Sequence, residues 1–252
     1  MKKLSLLLVL LMVGSIIFAQ VQTMHNPNAK PTVTSDQIKA WGEASQSNGS
    51  RSVVLDFEGL GNLDAIAQYY NGGLSANGFG PGTNFGIYFG GTTLSIIDAD
   101  NGGSGNFANE PSPNTVMFFL EGGGATMNVT AGFTTGFSFF YTSSAPGIVF
   151  VYDGLDGTGN LLASAPFPAV PLGTIGGDPT GFFDNWVPFG VGFSGTAKSV
   201  TFSGVENQCG FDDVTFGSID PGPSEVPISN WALFIGLGLI IVAAVVRFRR
   251  IL

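Results

Sequence analysis

Gly147-Ile148-Val149-Phe150-Val151-Tyr152, then Asp153-Gly154-Leu155-Asp156-Gly157-Thr158-Gly159-Asn160, then Leu161-Leu162, reads as a β-hairpin. β-Branched and aromatic residues fill the first run because they pack well on a pleated surface. The turn concentrates Asp, Gly and Asn, which tolerate the conformations of a tight reversal. The same grammar extends over residues 51–219: short runs rich in Phe, Val and Thr alternate with glycine-rich turns. A 3.6-residue apolar period is confined to the brief Leu63–Tyr70 segment. Strands are predicted near 52–58, 85–90, 93–98, 115–120, 125–130, 135–142, 147–153, 160–165, 187–193, 197–203 and 211–217. That many short strands in one domain predict an all-β, two-sheet sandwich of jelly-roll type, with a closed barrel as the alternative.

Hydrophobic segments flank this domain. Met1-Lys2-Lys3 followed by the apolar run Leu4–Phe18 predicts a signal peptide over residues 1–19, cut after Ala19, with an uncleaved anchor as the alternative. Residues 20–50 read as a linker rich in Asn, Pro, Ser and Gly, and residues 220–225 as a second, shorter one. The tail, 226–252, opens with Val226-Pro227-Ile228-Ser229-Asn230-Trp231, continues without charge to Val246 and closes with Arg247, Arg249 and Arg250. Residues 231–246 form the expected transmembrane segment. At about 1.5 Å per residue they reach ~24 Å, and the snorkelling arginines and interfacial Trp231 extend that reach. The arginines place the end of the chain in the cytoplasm and the domain outside.

The order of motif, apolar span and arginines resembles the tripartite sorting signals of exported bacterial PEP-CTERM proteins. The motif here departs from Pro-Glu-Pro, keeping Val226, Pro227, Ser229, Asn230 and Trp231. The resemblance implies an exosortase-like processing enzyme as partner and a cell-surface or extracellular location, with membrane anchoring before the tail is processed. Val54–Leu60, Gly105–Thr115, Val151–Asn160, Gly195–Val200 and Phe211–Gly217 also look like the domain found in many exported PEP-CTERM proteins.

Charge narrows the partners. Between signal and tail stand eighteen acidic residues against Lys30, Lys39, Arg51 and Lys198, a net charge of −14. Nucleic acid is an unsuitable partner, because phosphate binding needs clustered Lys and Arg. Cys209 is the one cysteine, so no internal disulfide forms. His25, the one histidine, lies in the first linker, which removes a serine or cysteine triad from the domain.

Oxygen ligands and aromatic platforms remain. Strand alternation puts Leu55 and Phe57 on one face and Asp56 with Glu58 on the other. The domain resembles jelly-roll carbohydrate-binding modules in strand content. That likeness implies a structural calcium held between the first and last strands, here by Asp56, Glu58, Asp212 and Asp213, set against the alternative that these carboxylates keep edge strands soluble. Asp98-Ala99-Asp100-Asn101-Gly102-Gly103 has calcium-loop spacing but reads more readily as a turn. Sugar binding needs exposed ring faces, for which Trp186, Tyr69 and Tyr70 are the candidates. The expected function is non-catalytic binding or organisation of extracellular polysaccharide or matrix. The alternative is an exported carbohydrate-active enzyme, a glycoside hydrolase or lyase, working through paired carboxylates.

Overall fold

The computed structural model describes residues 23–24, 53–176 and 181–221. The expected signal peptide, nearly all of the first linker and the whole sorting tail, including Val226, Pro227, Ser229, Asn230, Trp231, Arg247, Arg249 and Arg250, lie outside the described residues. Among the described residues no helix is long and apolar enough to cross a membrane.

Twelve strands follow in order: β1 (Val54–Leu55), β2 (Asp64–Ala65), β3 (Ile87–Phe89), β4 (Leu94–Ile97), β5 (Thr115–Phe118), β6 (Gly124–Phe133), β7 (Gly136–Ser143), β8 (Gly147–Tyr152), β9 (Leu161–Phe167), β10 (Val187–Gly192), β11 (Ala197–Ser203) and β12 (Cys209–Phe216). They form two antiparallel sheets. One has seven strands, ordered β10-β7-β12-β5-β4-β2 with β1 also on β12; the other has five, ordered β3-β6-β11-β8-β9. The separate orders make an open sandwich, not a barrel. The fold is all-β as expected, and each strand read from the sequence overlaps an observed one. Leu63–Tyr70 departs from its helical period: it contains β2 and turns, with Leu63 at φ 55° and Ala67 at φ 47°.

The main core lies between the sheets. From the seven-stranded sheet come Leu55, Phe57, Met117, Phe137, Phe139, Tyr141, Phe211 and Val214. The five-stranded sheet contributes Met127, Val149, Val151, Val200 and Phe202. Phenylalanine dominates because the chain has 23 of them, and a buried ring removes far more apolar surface from water than a valine does. Phe139 meets Phe202 edge-on at 5.2 Å and Phe211 at 5.8 Å, so rings from both sheets interlock.

The seven-stranded sheet is also covered on its outer side. Ile96, Val116 and Phe118, the outward residues of β4 and β5, pack with Phe107, Phe183 and Met24 in a second cluster. Met24 arrives from the first linker. Its N–H donates to the Asn207 carbonyl at 2.9 Å and its carbonyl accepts from Asn106 N at 2.8 Å. Gly210 makes room for it, since a Cβ there would lie 2.6 Å from the Met24 methyl. Residues 20–50 therefore include a point of attachment to the domain as well as a linker.

Candidate functional site

The first expected site gathers where β1 meets β12. Leu55 pairs with Val214 and Val54 with Thr215. Leu55 and Phe57 enter the core, Phe57 by a left-handed turn at φ 58° just past β1, while Asp56 and Glu58 stay half-exposed. Along β12 the register shifts between Asp212 and Thr215, with Asp213 at φ 49°. This bulge inserts one residue, so that Phe211 and Val214 both face the core while Asp212 faces away from it.

Ser112 links the two strands. Its hydroxyl lies 2.8 Å from the Asp56 carbonyl and 2.8 Å from Asp212 Oδ1, and its N–H donates to Asp212 Oδ2 at 2.8 Å. Glu58 Oε1 accepts from the N–H groups of Asn114 and Thr115 at 2.9 and 2.8 Å. Burial pushes the Glu58 carboxyl up to about 8, with the Asp56 charge adding to the effect. Burial likewise raises Asp56. It holds Asp212 well above the carboxylate range, helped by the charges of Asp213 and Glu58. Asp56 and Glu58 are both partly buried.

Lys198 is the one basic residue among the described residues, and it is exposed. Hard oxygen donors are the chemistry that suits calcium. The present arrangement is not a closed cage: among the described residues no group of three or more His, Cys, Asp or Glu side chains is assembled to hold a metal ion. The Asp98–Gly103 segment is the turn it resembles. It forms a 3-10 turn over Ala99–Asn101, with the Asp98 side chain accepting from Asp100 N and Gly102 left-handed at φ 83°.

The aromatic candidates are placed differently from expectation. Tyr70 is 3 % exposed and Tyr69 8 %, and both belong to the main core. Their hydroxyls fasten the acidic segment instead. Tyr70 accepts from Phe57 N at 2.6 Å and lies 3.4 Å from Asp56 Oδ1, and Tyr69 donates to the Glu58 carbonyl at 3.0 Å. Trp186 is half-buried against the second cluster, edge-on to Phe107 at 6.2 Å, with its indole N–H donating to the Ala108 carbonyl at 3.0 Å. These three rings are committed to packing, because each polar tip found a partner that ties it to the fold.

An aromatic surface exists elsewhere, on the outer face of the five-stranded sheet. In β8, Val149 and Val151 are fully buried while Phe150 and Tyr152 alternate outward and are half-buried. Their rings lie 6.4 Å apart at 39°. Register extends this pair into two rows across the sheet. One runs Tyr88, Asn128, Ser199, Tyr152; the other runs Thr126, Thr201, Phe150, Ser164. Thr126 and Thr201 hydroxyls approach at 3.3 Å.

The 153–160 turn folds back onto the first row. Asn128 Nδ2 donates to Asp156 Oδ1 at 2.8 Å, Asp156 N returns a bond to Asn128 Oδ1 at 2.7 Å, and Ser199 Oγ donates to the Gly154 carbonyl at 2.6 Å. The turn is closed internally by Asp153, which accepts from Asn160 N at 2.7 Å and Asn160 Nδ2 at 2.8 Å. Gly159, at φ 83°, is required here, since a Cβ would lie 2.2 Å from Asp153 Oδ1. The result is a rigid rim over Asn128 and Ser199, with Tyr88 on one side and Tyr152 with Phe150 on the other. Sequence reading did not single out these rings. Alternation within β8 was the signal that would have found them.

No protein-family model and no curated protein matches this chain. Among solved structures it is similar to a glycoside hydrolase family 43 arabinoxylan arabinofuranohydrolase from Bacillus subtilis, crystallised in complex with cellotetraose. The two share 20% identity over 50% of this chain and 24% of that one, at a TM-score of 0.32. The chain thus spans about a quarter of that enzyme's length. It is also similar to the K2 cleaved adhesin domain of Lys-gingipain, with 12% identity over 66% of this chain and 99% of that one, at a TM-score of 0.41.

Proposed function

We propose that this chain is an exported, surface-sorted, non-catalytic module that binds extracellular polysaccharide through the outer face of its five-stranded sheet. The single observation behind this reading is the pairing of half-exposed rings, Tyr88, Phe150 and Tyr152, with a row of hydroxyls at Thr126, Thr201 and Ser164. Ring faces stack on the apolar faces of sugars while hydroxyls and carboxylates hydrogen-bond their edges. Strands β5 to β12 follow the jelly-roll order, with β10-β7-β12-β5 in one sheet and β6-β11-β8-β9 in the other. The sorting tail, read by an exosortase-like enzyme, delivers the module to the cell surface, and deleting residues 226–252 releases it into the medium.

Calcium, held by Asp56, Glu58, Asp212 and Asp213, is the proposed structural ion of the same module. When bound it would join the first strand to the last through their carboxylates. The rival reading is an enzyme using paired carboxylates; in Asp56, Glu58 and Asp212 it has carboxyl oxygens that accept from backbone N–H groups. Incubating the exported chain with insoluble polysaccharides tests both readings: retention without new reducing ends supports binding, and release of reducing ends overturns it.

A further inference from the structure

The open sheet face carries a preference among polysaccharides, and this inference rests on the reading above. We infer that its ligand is an uncharged polysaccharide, not a uronic-acid-bearing or sulfated one. The first ground is the supply of cations. The chain's eighteen acidic residues, less Asp36, Glu43, Asp178 and Glu225, leave fourteen in the described part, against Lys198 alone. A carboxylate or sulfate is ordinarily held by Arg or Lys through charge-assisted bonds. The open face provides neither in its rows, whose exposed members are aromatic rings and hydroxyls, with Asn128 and Ser199 buried under the turn.

The second ground is the rim. Asp156 is fixed beside the face by its two bonds with Asn128, and its charge reaches Tyr88, whose hydroxyl is pushed up by burial and by Asp156. Asp153 stands in the same turn, and Lys198 is near enough to it to contribute to its lowered pKa, after the larger effect of the Asn160 hydrogen bonds. Lys198, the one basic residue among the described residues, thus stands in the field of this acidic turn. A sugar hydroxyl finds in Asp156 an acceptor already held in place, which strengthens binding of a neutral chain. A uronate or sulfate in the same position meets a like charge well inside the ~8 Å Debye length of physiological salt.

The test measures retention of the exported chain on four probes: a neutral β-glucan, a neutral xylan, polygalacturonate and a sulfated galactan. Each is assayed at 50 and 500 mM NaCl, with chelator and with calcium. The expected result is that at least one neutral polymer binds at least tenfold more tightly than either anionic one at low salt, with little change at high salt. Asp156→Asn should narrow that gap. Equal or tighter binding of an anionic polymer, with or without calcium, overturns the inference while leaving the polysaccharide-binding face intact. Retention on none of the four, together with no effect of Phe150→Ala, overturns the face itself and the inference with it.

Discussion

The two sheets differ most in what lies on their outer sides. On the seven-stranded sheet, Ile96, Val116 and Phe118 face outward and are then covered by Phe107, Phe183 and Met24. On the five-stranded sheet, Phe150, Tyr152 and Tyr88 face outward and remain half-exposed among threonines and serines. Both faces carry aromatic rings, so composition does not separate them. What separates them is the chain that follows: residues 99–114, 171–176 and 181–186 lie over one face, while the 153–160 turn buries Asn128 and Ser199 on the other and leaves Tyr88, Phe150 and Tyr152 half-exposed. The covered face contributes to stability, and the open one is left to meet a ligand.

Substitution should therefore affect the two faces in opposite ways. Phe118→Ala removes a fully buried ring and is expected to cost about 3–5 kcal/mol, lowering Tm by roughly 6 °C or more. Met24→Ala is expected to cost about 2–5 kcal/mol, because its slot is walled by rings that cannot collapse fully into the space. Thermal unfolding measures both, and a Met24 variant as stable as the parent would show that the covering segment adds nothing.

The carboxylates at the junction of β1 and β12 supply the next effect, through pH. Glu58 is raised from 4.5 to about 8 in the folded state, so it contributes stability that is present below pH 4.5 and lost as pH rises through about 8. The span corresponds to a few kcal/mol at most. In chelator, Tm should fall from pH 5 to pH 8, and Glu58→Gln should flatten that fall and raise Tm at pH 8. A calcium ion would place positive charge among these carboxylates. At about a hundred times its Kd it should add ~2.7 kcal/mol, or about 5–10 °C, to the unsubstituted chain at pH 8, and much less to Asp212→Asn. Equal Tm with calcium and with chelator would remove the ion from the proposal and leave the pH effect standing.

Much of this was legible beforehand. The meeting of first and last strands was implied by the likeness to jelly-roll modules, and the core side of Leu55 and Phe57 was read from a period of two, although β1 ends at Leu55 and Phe57 turns inward with a left-handed backbone. The bulge at Asp213 did not follow, because a left-handed residue in a strand leaves no mark in the pattern unless it is glycine. β2 was hidden for a related reason: the apolar spacing over Leu63–Tyr70 comes from turns that send Ile66, Tyr69 and Tyr70 into the core without a helix. Tyr69, Tyr70 and Trp186 were misjudged because glycine-rich neighbours suggest exposure, whereas burial was decided by partners for their polar atoms on distant segments. Phe150 and Tyr152 stood in the most legible hairpin of all, and their outward face was written in the valines between them.

The smallest expected effect on stability accompanies the largest on binding. Phe150→Ala with Tyr152→Ala should lower stability by about 1 kcal/mol or less, since half-exposed sites outside a core rarely cost more. Retention of the exported chain on a neutral polysaccharide, compared between the parent and this double variant at matched folding, is the decisive measurement. The expected result is at least a tenfold loss of retention with Tm nearly unchanged. A double variant that folds and is retained as firmly as the parent would contradict the assignment of the open sheet face as the binding surface.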